Sequence, residues 1–218
     1  MKLSIIVACC ENEIKGEQKS RIPLLKNCLG HIIQNNYSNL EVLVCSDGES
    51  QTIRDIVSKI NNPKFEYHFV PKRGKYGGGT QRNAMMAKAT GDLLMFIDDD
   101  DFYDKDAFNK VAKAAAENPG RLLVFNMRYR NGRMLWNQDV KSSNGKGLFQ
   151  KGHIGTPMVV VPNIKDKLGS WGLADYSDGI FFESTLAKGW LEPVWFTDVI
   201  AHVRMQGDRD YWPNMLTV

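Results

Sequence analysis

Four consecutive carboxylates, Asp98-Asp99-Asp100-Asp101, follow the apolar run Leu93-Leu94-Met95-Phe96-Ile97. Side by side they repel, and near low-dielectric surroundings each needs a compensating cation. Side chains alternate along an extended strand, so Asp98 and Asp100 can face one side while Asp99 faces the other. Two hard oxygen donors at one spot suit Mg²⁺ or Mn²⁺, ions that usually also hold substrate phosphates. The C-terminal end of a strand in an open α/β sheet is where ligands bind. Asp98 and Asp100 therefore read as a metal site. Asp101, Asp104 and Asp106 read instead as a solvated acidic turn favouring the N-terminus of a helix that begins at Lys105. An EF-hand loop does not fit, because Phe102 and Tyr103 would occupy a ligand position and the glycine position. An aspartate nucleophile of the phosphatase kind is chemically possible, but there the aspartate pair ends the first strand, whereas this one ends the fourth.

Other residues could join such a site. Arg82 follows Gly77-Gly78-Gly79 and reads as a cation facing an anion, although no Walker or dinucleotide fingerprint is matched. His202, between Ala201 and Val203, is either a core histidine or a ligand for metal or phosphate. His153 reads as an ordinary loop residue. Trp136, Trp171 and Trp190 can stack on a sugar or base, yet tryptophans more often pack cores. Lys72, Arg73, Lys75, Arg128, Arg130, Arg133, Lys141, Lys146 and Lys151 cluster in loops. They read as solvated, with a phosphate backbone as the alternative partner.

The elements that must position these residues alternate strand with helix. Leu3–Ala8, Leu40–Cys45, Phe65–Val70 and Leu93–Ile97 are short apolar or β-branched runs, hence buried strands. Leu24, Leu25, Cys28, Leu29, Ile32 and Ile33 recur at helical spacing after Pro23, and Ile53, Ile56, Val57 and Ile60 form a second such set. Thr80 is the expected N-cap of a helix running to Ala89, and Lys105–Glu117 is the next helix. Beyond it the pattern changes. Leu122–Tyr129 and Met134–Trp136 suggest a hairpin, Lys141–His153 a long basic loop, Met158–Val161 a strand and Ser177–Lys188 a helix. Val194–Phe196 and Val199–His202 suggest two short strands. This is an α/β chain with a mostly parallel central sheet, helices on both faces and a smaller second lobe.

The chain has 218 residues, 43% of them hydrophobic and 24% charged, which is enough for one core and too short for two large domains. A net charge of +3 excludes strongly basic nucleic-acid binders without excluding a phosphate-rich ligand. No apolar run is long enough to span a membrane, and no signal peptide is recognisable, so the expected location is the cytoplasm. Cys9, Cys10, Cys28 and Cys45 contain no C-x-x-C pair and read as reduced core thiols.

Five segments in series resemble the family 2 glycosyltransferases, which have the GT-A fold. Ser4-Ile5-Ile6-Val7-Ala8 is similar to the opening strand, and Val42–Ser50 to the Val-x-Asp-Asp-Gly-Ser segment. Gly79-Thr80-Gln81-Arg82-Asn83 with Ala89-Thr90-Gly91-Asp92 is similar to the Ala-Arg-Asn…Ala-x-Gly-Asp helix. Phe96–Asp101 resembles Phe-Leu-Asp-x-Asp-Asp, and Tyr176-Ser177-Asp178 the later acidic helix. Ser46 stands where the first aspartate of the usual pair would be, and Ser177 where a glutamate would be. The resemblance implies one GT-A domain over residues 1–218, with residues 1–101 binding a nucleotide-diphosphate sugar, UDP-sugar favoured, and 102–218 binding the acceptor. It implies that Asp47, Arg82, Asp98 and Ala8 contact the donor. Asp100 would bind Mn²⁺ or Mg²⁺, with His202 as a further metal ligand. Asp178 would be the general base, with Asp175 as the alternative. A divalent ion would stabilise the departing diphosphate, and an uncoordinated carboxylate would take the acceptor's proton.

The segment His153–Asn163 is similar to small glycosyltransferases of bacteriophages. This points to hydroxymethylated phage DNA as one acceptor, in a host cytoplasm, with a glycan or protein otherwise. Two rivals remain: a sugar nucleotidyltransferase, disfavoured by the lack of a glycine-rich first loop followed by lysine, and a catalytically silent carbohydrate or nucleic-acid binding module.

Overall fold

The computed structural model describes residues 1–11, 20–72, 78–129, 131–134, 154–173 and 177–203. The chain begins β1 (Leu3–Cys9), α1 (Ile22–Gln34), β2 (Leu40–Asp47), α2 (Gln51–Lys59), β3 (Phe65–Val70), α3 (Gly79–Lys88) and β4 (Leu93–Asp98). There follow β5 (Phe102–Tyr103), α4 (Ala107–Glu117), β6 (Leu123–Tyr129), β7 (Val159–Pro162), α5 (Ser177–Leu186) and β8 (Val194–Val203). One sheet of eight strands takes the order β3-β2-β1-β4-β7-β6-β8-β5. β1 pairs in parallel with both β2 and β4, and β2 with β3. β7 is antiparallel to β4 and β6, while β8 lies parallel to β6 and antiparallel to β5.

The first three strands step outward through α1 and α2, and the chain then reverses through α3 to set β4 on the other side of β1. Parallel crossovers are right-handed, so this reversal carries α3 to the face opposite α1 and α2. Covered on both faces, the central strands read as continuous apolar runs rather than alternating ones. Ile5, Ile6, Val7, Val44 and Phe96 are fully buried. Between β1 and β4 the strand order reverses, and it is in the crevice at such a point, beyond the strands' carboxyl ends, that open α/β sheets bind ligands. At that end lie Ala8, Asp47 and Asp98.

At the opposite end of β1, Glu41 gathers five donors, the Gly91 N–H at 3.2 Å among them. Lys2 Nζ and Ser4 Oγ each donate to it at 2.6 Å, and Thr90 donates through its backbone N–H at 2.7 Å and its hydroxyl at 2.6 Å. The Gly91 N–H donates to Ser4 Oγ at 2.8 Å. This network fixes the turn from α3 into β4, and hence where β4 ends.

Several expectations need correction. α3 is capped by Gly78 in the left-handed region, φ 58°, and not by Thr80. A Cβ at Gly78 would lie 2.8 Å from the Ala8 Cβ, so the close approach of helix to strand favours glycine there. α4 starts at Ala107 rather than Lys105. Asp104 does not cap it with its side chain, which bonds His202 instead. β8 is one strand, because its pairing with β6 accommodates the exposed Thr197 and Asp198 in a bulge. β5, two residues long, gave no sequence signal. Only part of the hairpin is described: Arg128 bridges Met134 after a turn at Asn131-Gly132. The basic loop Lys141–His153, Trp136, Asp175, Arg73, Lys75, Arg130 and the tail after Val203 lie outside the described residues. None of the four cysteines is in a disulfide, and all but Cys10 are buried. Among the described residues no helix is long and apolar enough to cross a membrane.

Candidate active site

β4 delivers Asp98 to the crevice beside β1, where it pairs in register with Ala8. Three elements reach it. Arg82, in the first turns of α3 and only 1% exposed, donates from Nη2 to Asp98 Oδ1. Thr156, in a short 3₁₀ turn before β7, donates its hydroxyl to the same carboxylate. Asp178, in the first turn of α5, is close enough for Arg82 and Asp98 to act on its charge.

The crowding has electrostatic consequences. Asp98 is raised above the ordinary carboxylate value by desolvation first, with Arg82 pulling against it and Asp100 adding to it. Asp178 is raised too, again by desolvation, against the stabilising Gly179 N–H at 2.8 Å and the charge of Arg82. A raised aspartate in a cleft is a better proton acceptor than a free one.

The remaining aspartates divide differently. Asp99 turns into the protein, 2% exposed. It accepts from Arg21 Nε at 3.0 Å, from Arg21 Nη2, and from the Cys10 N–H at 3.1 Å. Burial pushes its carboxyl up to about 6 while Arg21 pulls it down, so the pair is ionised at neutral pH. The same guanidinium lies 3.1 Å from Asp100 Oδ1. Cys10 is pushed up to about 12, by burial and then by Asp99, so it is no thiolate nucleophile at neutral pH. Asp47 is half-buried at the end of β2 and is close enough to Cys10 to raise its thiol further.

His202 pairs with Asp104. Its Nε2 lies 2.8 Å from Asp104 Oδ1, and its ring stacks on Phe102 at 4.8 Å, with His31 on the other face at 4.0 Å. Asp104 is held below its ordinary value, chiefly by the His202 hydrogen bond.

Trp171 is buried. Trp190 is half-buried and donates to the Lys167 carbonyl at 2.8 Å. Arg21 and Thr156 contact the acidic cluster, and the sequence did not disclose either contact. Arg21 is 78 residues from its partner, and Thr156 sits in a turn with no periodicity.

Asp98 and Asp100 offer oxygen donors only, the chemistry that a hard divalent cation prefers, and in the structure Asp98 pairs with Arg82 and Asp100 with Arg21. Among the described residues no three metal-ligating side chains converge. An ion here would therefore complete its shell from diphosphate oxygens and water, the usual habit of Mg²⁺.

The model of glycosyl transferase family 2 matches residues 4–164. A GalNAc(5)-diNAcBac-PP-undecaprenol beta-1,3-glucosyltransferase of Campylobacter jejuni is 23% identical over 155 residues, 70% of this chain and 45% of that protein. Poly(ribitol-phosphate) beta-N-acetylglucosaminyltransferase TarS of Staphylococcus aureus is 26% identical over 136 residues, 61% of this chain and 22% of that protein. The chain thus spans less than half the length of these curated relatives. Among solved structures, S. aureus TarS 1-349 in complex with UDP superposes with a TM-score of 0.75 at 18% identity, covering 94% of this chain and 61% of that one. The mannosyltransferase PcManGT from Pyrobaculum calidifontis, in complex with GDP-Man and Mn²⁺, superposes with a TM-score of 0.64 at 17% identity, covering 96% and 58%. The fold is therefore that of the GT-A glycosyltransferases. With the family model spanning most of the sequence, the chain belongs to glycosyl transferase family 2.

Proposed function

We propose that this chain transfers a sugar, with inversion, from a nucleotide-diphosphate sugar to an acceptor hydroxyl, in a reaction that depends on a divalent cation. The observation that carries the reading is the Arg82–Asp98 ion pair at the β1/β4 switch point, with Asp178 near enough for both charges to act on it. UDP-sugar is the favoured donor, supported by the UDP complex of the TarS neighbour. The acceptor favoured is a glycan or polyol hydroxyl, the class named for two relatives. Hydroxymethylated DNA is the competing acceptor.

Asp98 and Asp100 would hold Mn²⁺ or Mg²⁺, which supplies Lewis-acid stabilisation of the charge on the departing diphosphate. His202 pairs with Asp104 and becomes a ligand only if that pair opens. Ala8 and Asp47 line the nucleoside side of the crevice. Arg82 presents a fixed positive charge where the phosphates must lie. Asp178, uncoordinated and raised, takes the acceptor's proton as the new bond forms on the face of the sugar opposite the leaving group.

A base must be deprotonated to act. Activity should therefore fall as pH drops through the Asp178 value, which lies above the ordinary aspartate range. Asp178→Asn should lower kcat by roughly 10²–10⁴-fold and remove that acid limb. The decisive measurement is donor turnover in a panel of nucleotide sugars, with Mn²⁺ and with a chelator, offering glycans, polyols and hydroxymethylated DNA as acceptors. Full turnover in the chelator defeats the metal assignment, and an unaltered pH profile in Asp178→Asn defeats the base.

A further inference from the structure

The Arg82 guanidinium does not hold its direction through Asp98 alone. Its carbon lies 4.4 Å from the centre of the Trp171 ring. The other side of the stack is closed by Phe181, centroids 4.6 Å apart and planes 7° from parallel. Phe96, from β4, meets both rings edge-on at 5.0 and 5.3 Å. Trp171 is 2% exposed and Phe181 fully buried. Trp171's own backbone is tied down by a neighbour of Arg82. The Trp171 N–H donates to Asn83 Oδ1 at 2.9 Å, and Asn83 Nδ2 donates to the Trp171 carbonyl at 3.1 Å. One residue beyond, the Gly172 carbonyl lies so close to Gly79 that a Cβ there could not be accommodated. Phe181 belongs to α5, three residues after Asp178.

An indole packed this way is more than core filling. A desolvated cation over a tryptophan face is attracted by the ring's quadrupole, and a planar guanidinium so held has few other orientations. Arg82 is long and carries much rotamer freedom when unsupported. We propose that Trp171 is a positioning residue for donor binding. It fixes the plane of Arg82 toward the donor's diphosphate, and through Phe181 it ties that cation to the helix that carries Asp178. This inference rests on the donor-site reading above.

The test compares Trp171→Phe, which keeps an aromatic face, with Trp171→Met, which keeps bulk without one. Asn83→Ala provides a third variant that loosens Trp171 without altering the ring. Affinity for UDP with Mn²⁺ is measured by calorimetry and donor KM by steady-state kinetics, on samples whose melting curves show a folded protein. Trp171→Met should weaken UDP binding and raise donor KM by about tenfold, the effect of losing a buried cation–π contact. Its kcat should change less than about threefold, because the contact serves bound donor and transition state alike. Trp171→Phe should recover most of the loss, and Asn83→Ala should fall between. Should Trp171→Met not fold, the contrast of Trp171→Phe with Asn83→Ala carries the test. Equal KM values for the methionine and phenylalanine variants, or for Asn83→Ala and the unaltered chain, would overturn the positioning role while leaving the donor site standing. Failure of the unaltered chain to bind UDP or GDP overturns both.

Discussion

Asp99 shows how misleading a run of like letters can be. In sequence it is one of four equal carboxylates, yet it faces inward and is gripped by Arg21 and the Cys10 amide. Two guanidinium groups, Arg21 and Arg82, thus serve three aspartates. Removing one partner of a buried pair leaves an uncompensated charge, at a cost of about 3 kcal/mol or more. Arg21→Met should lose about that much stability in urea unfolding, and Arg21→Met/Asp99→Asn should regain most of it. A single variant within ~0.5 kcal/mol of the parent would show that the pair carries no net weight. The end of β4 at Asp98 was legible, because it depends only on local spacing, whereas Asp99 and Asp100 fall in the turn beyond the strand and do not alternate as strand residues. Arg21 and Thr156 were not legible, because each acts across the sheet on a residue far away in sequence.

At the scale of elements, the loop leaving β2 is held by a chain of hydroxyls. The Ser50 N–H donates to the Tyr67 hydroxyl at 2.7 Å, Tyr67 and Ser46 Oγ are 2.9 Å apart, and Ser46 donates to the Gly48 carbonyl at 2.6 Å. Ser46, in place of the usual aspartate, is thus a structural hydroxyl, and Asp47 rides on the loop it fastens. Tyr67→Phe strands the buried Ser50 amide and should cost about 1 kcal/mol. It should also raise donor KM several-fold with kcat unchanged, as the loop slackens. Unchanged stability and KM would mean that the loop holds its shape without the hydroxyl. Long periodic elements such as α1 and β1 to β4 could be read from the sequence because both faces or one clear stripe are apolar. β5 is too short for any period, and the bulge in β8 looked like a break between two strands.

For the whole molecule, the Glu41 network ties the amino end of the sheet together. Burial alone would raise its carboxyl, but hydrogen bonds from Lys2, Ser4 and Thr90 outweigh this and bring it down to about 2. A depressed carboxylate stabilises the fold fully above its unfolded value of 4.5 and loses that contribution as pH falls toward about 2. With Lys2 partly exposed and screened, the contribution is on the order of 2 kcal/mol. Glu41→Gln should lose this at neutral pH and flatten the stability curve across that acid window, measured by urea unfolding at stepped pH. A curve parallel to the parent's would remove Glu41 from the acid response. The sheet that this network braces also has two unlike rims. β5 finishes one with only two residues, whereas β3 leaves six along the other, with Phe69 about half exposed and Glu66 paired to His68 at 3.3 Å. Unpaired peptide groups on such a border invite a stranger's backbone to zip alongside, and polar side chains along it discourage this. Because the crevice lies two strands inward, crowding of copies at that border would leave the chemistry untouched and show itself first as turbidity.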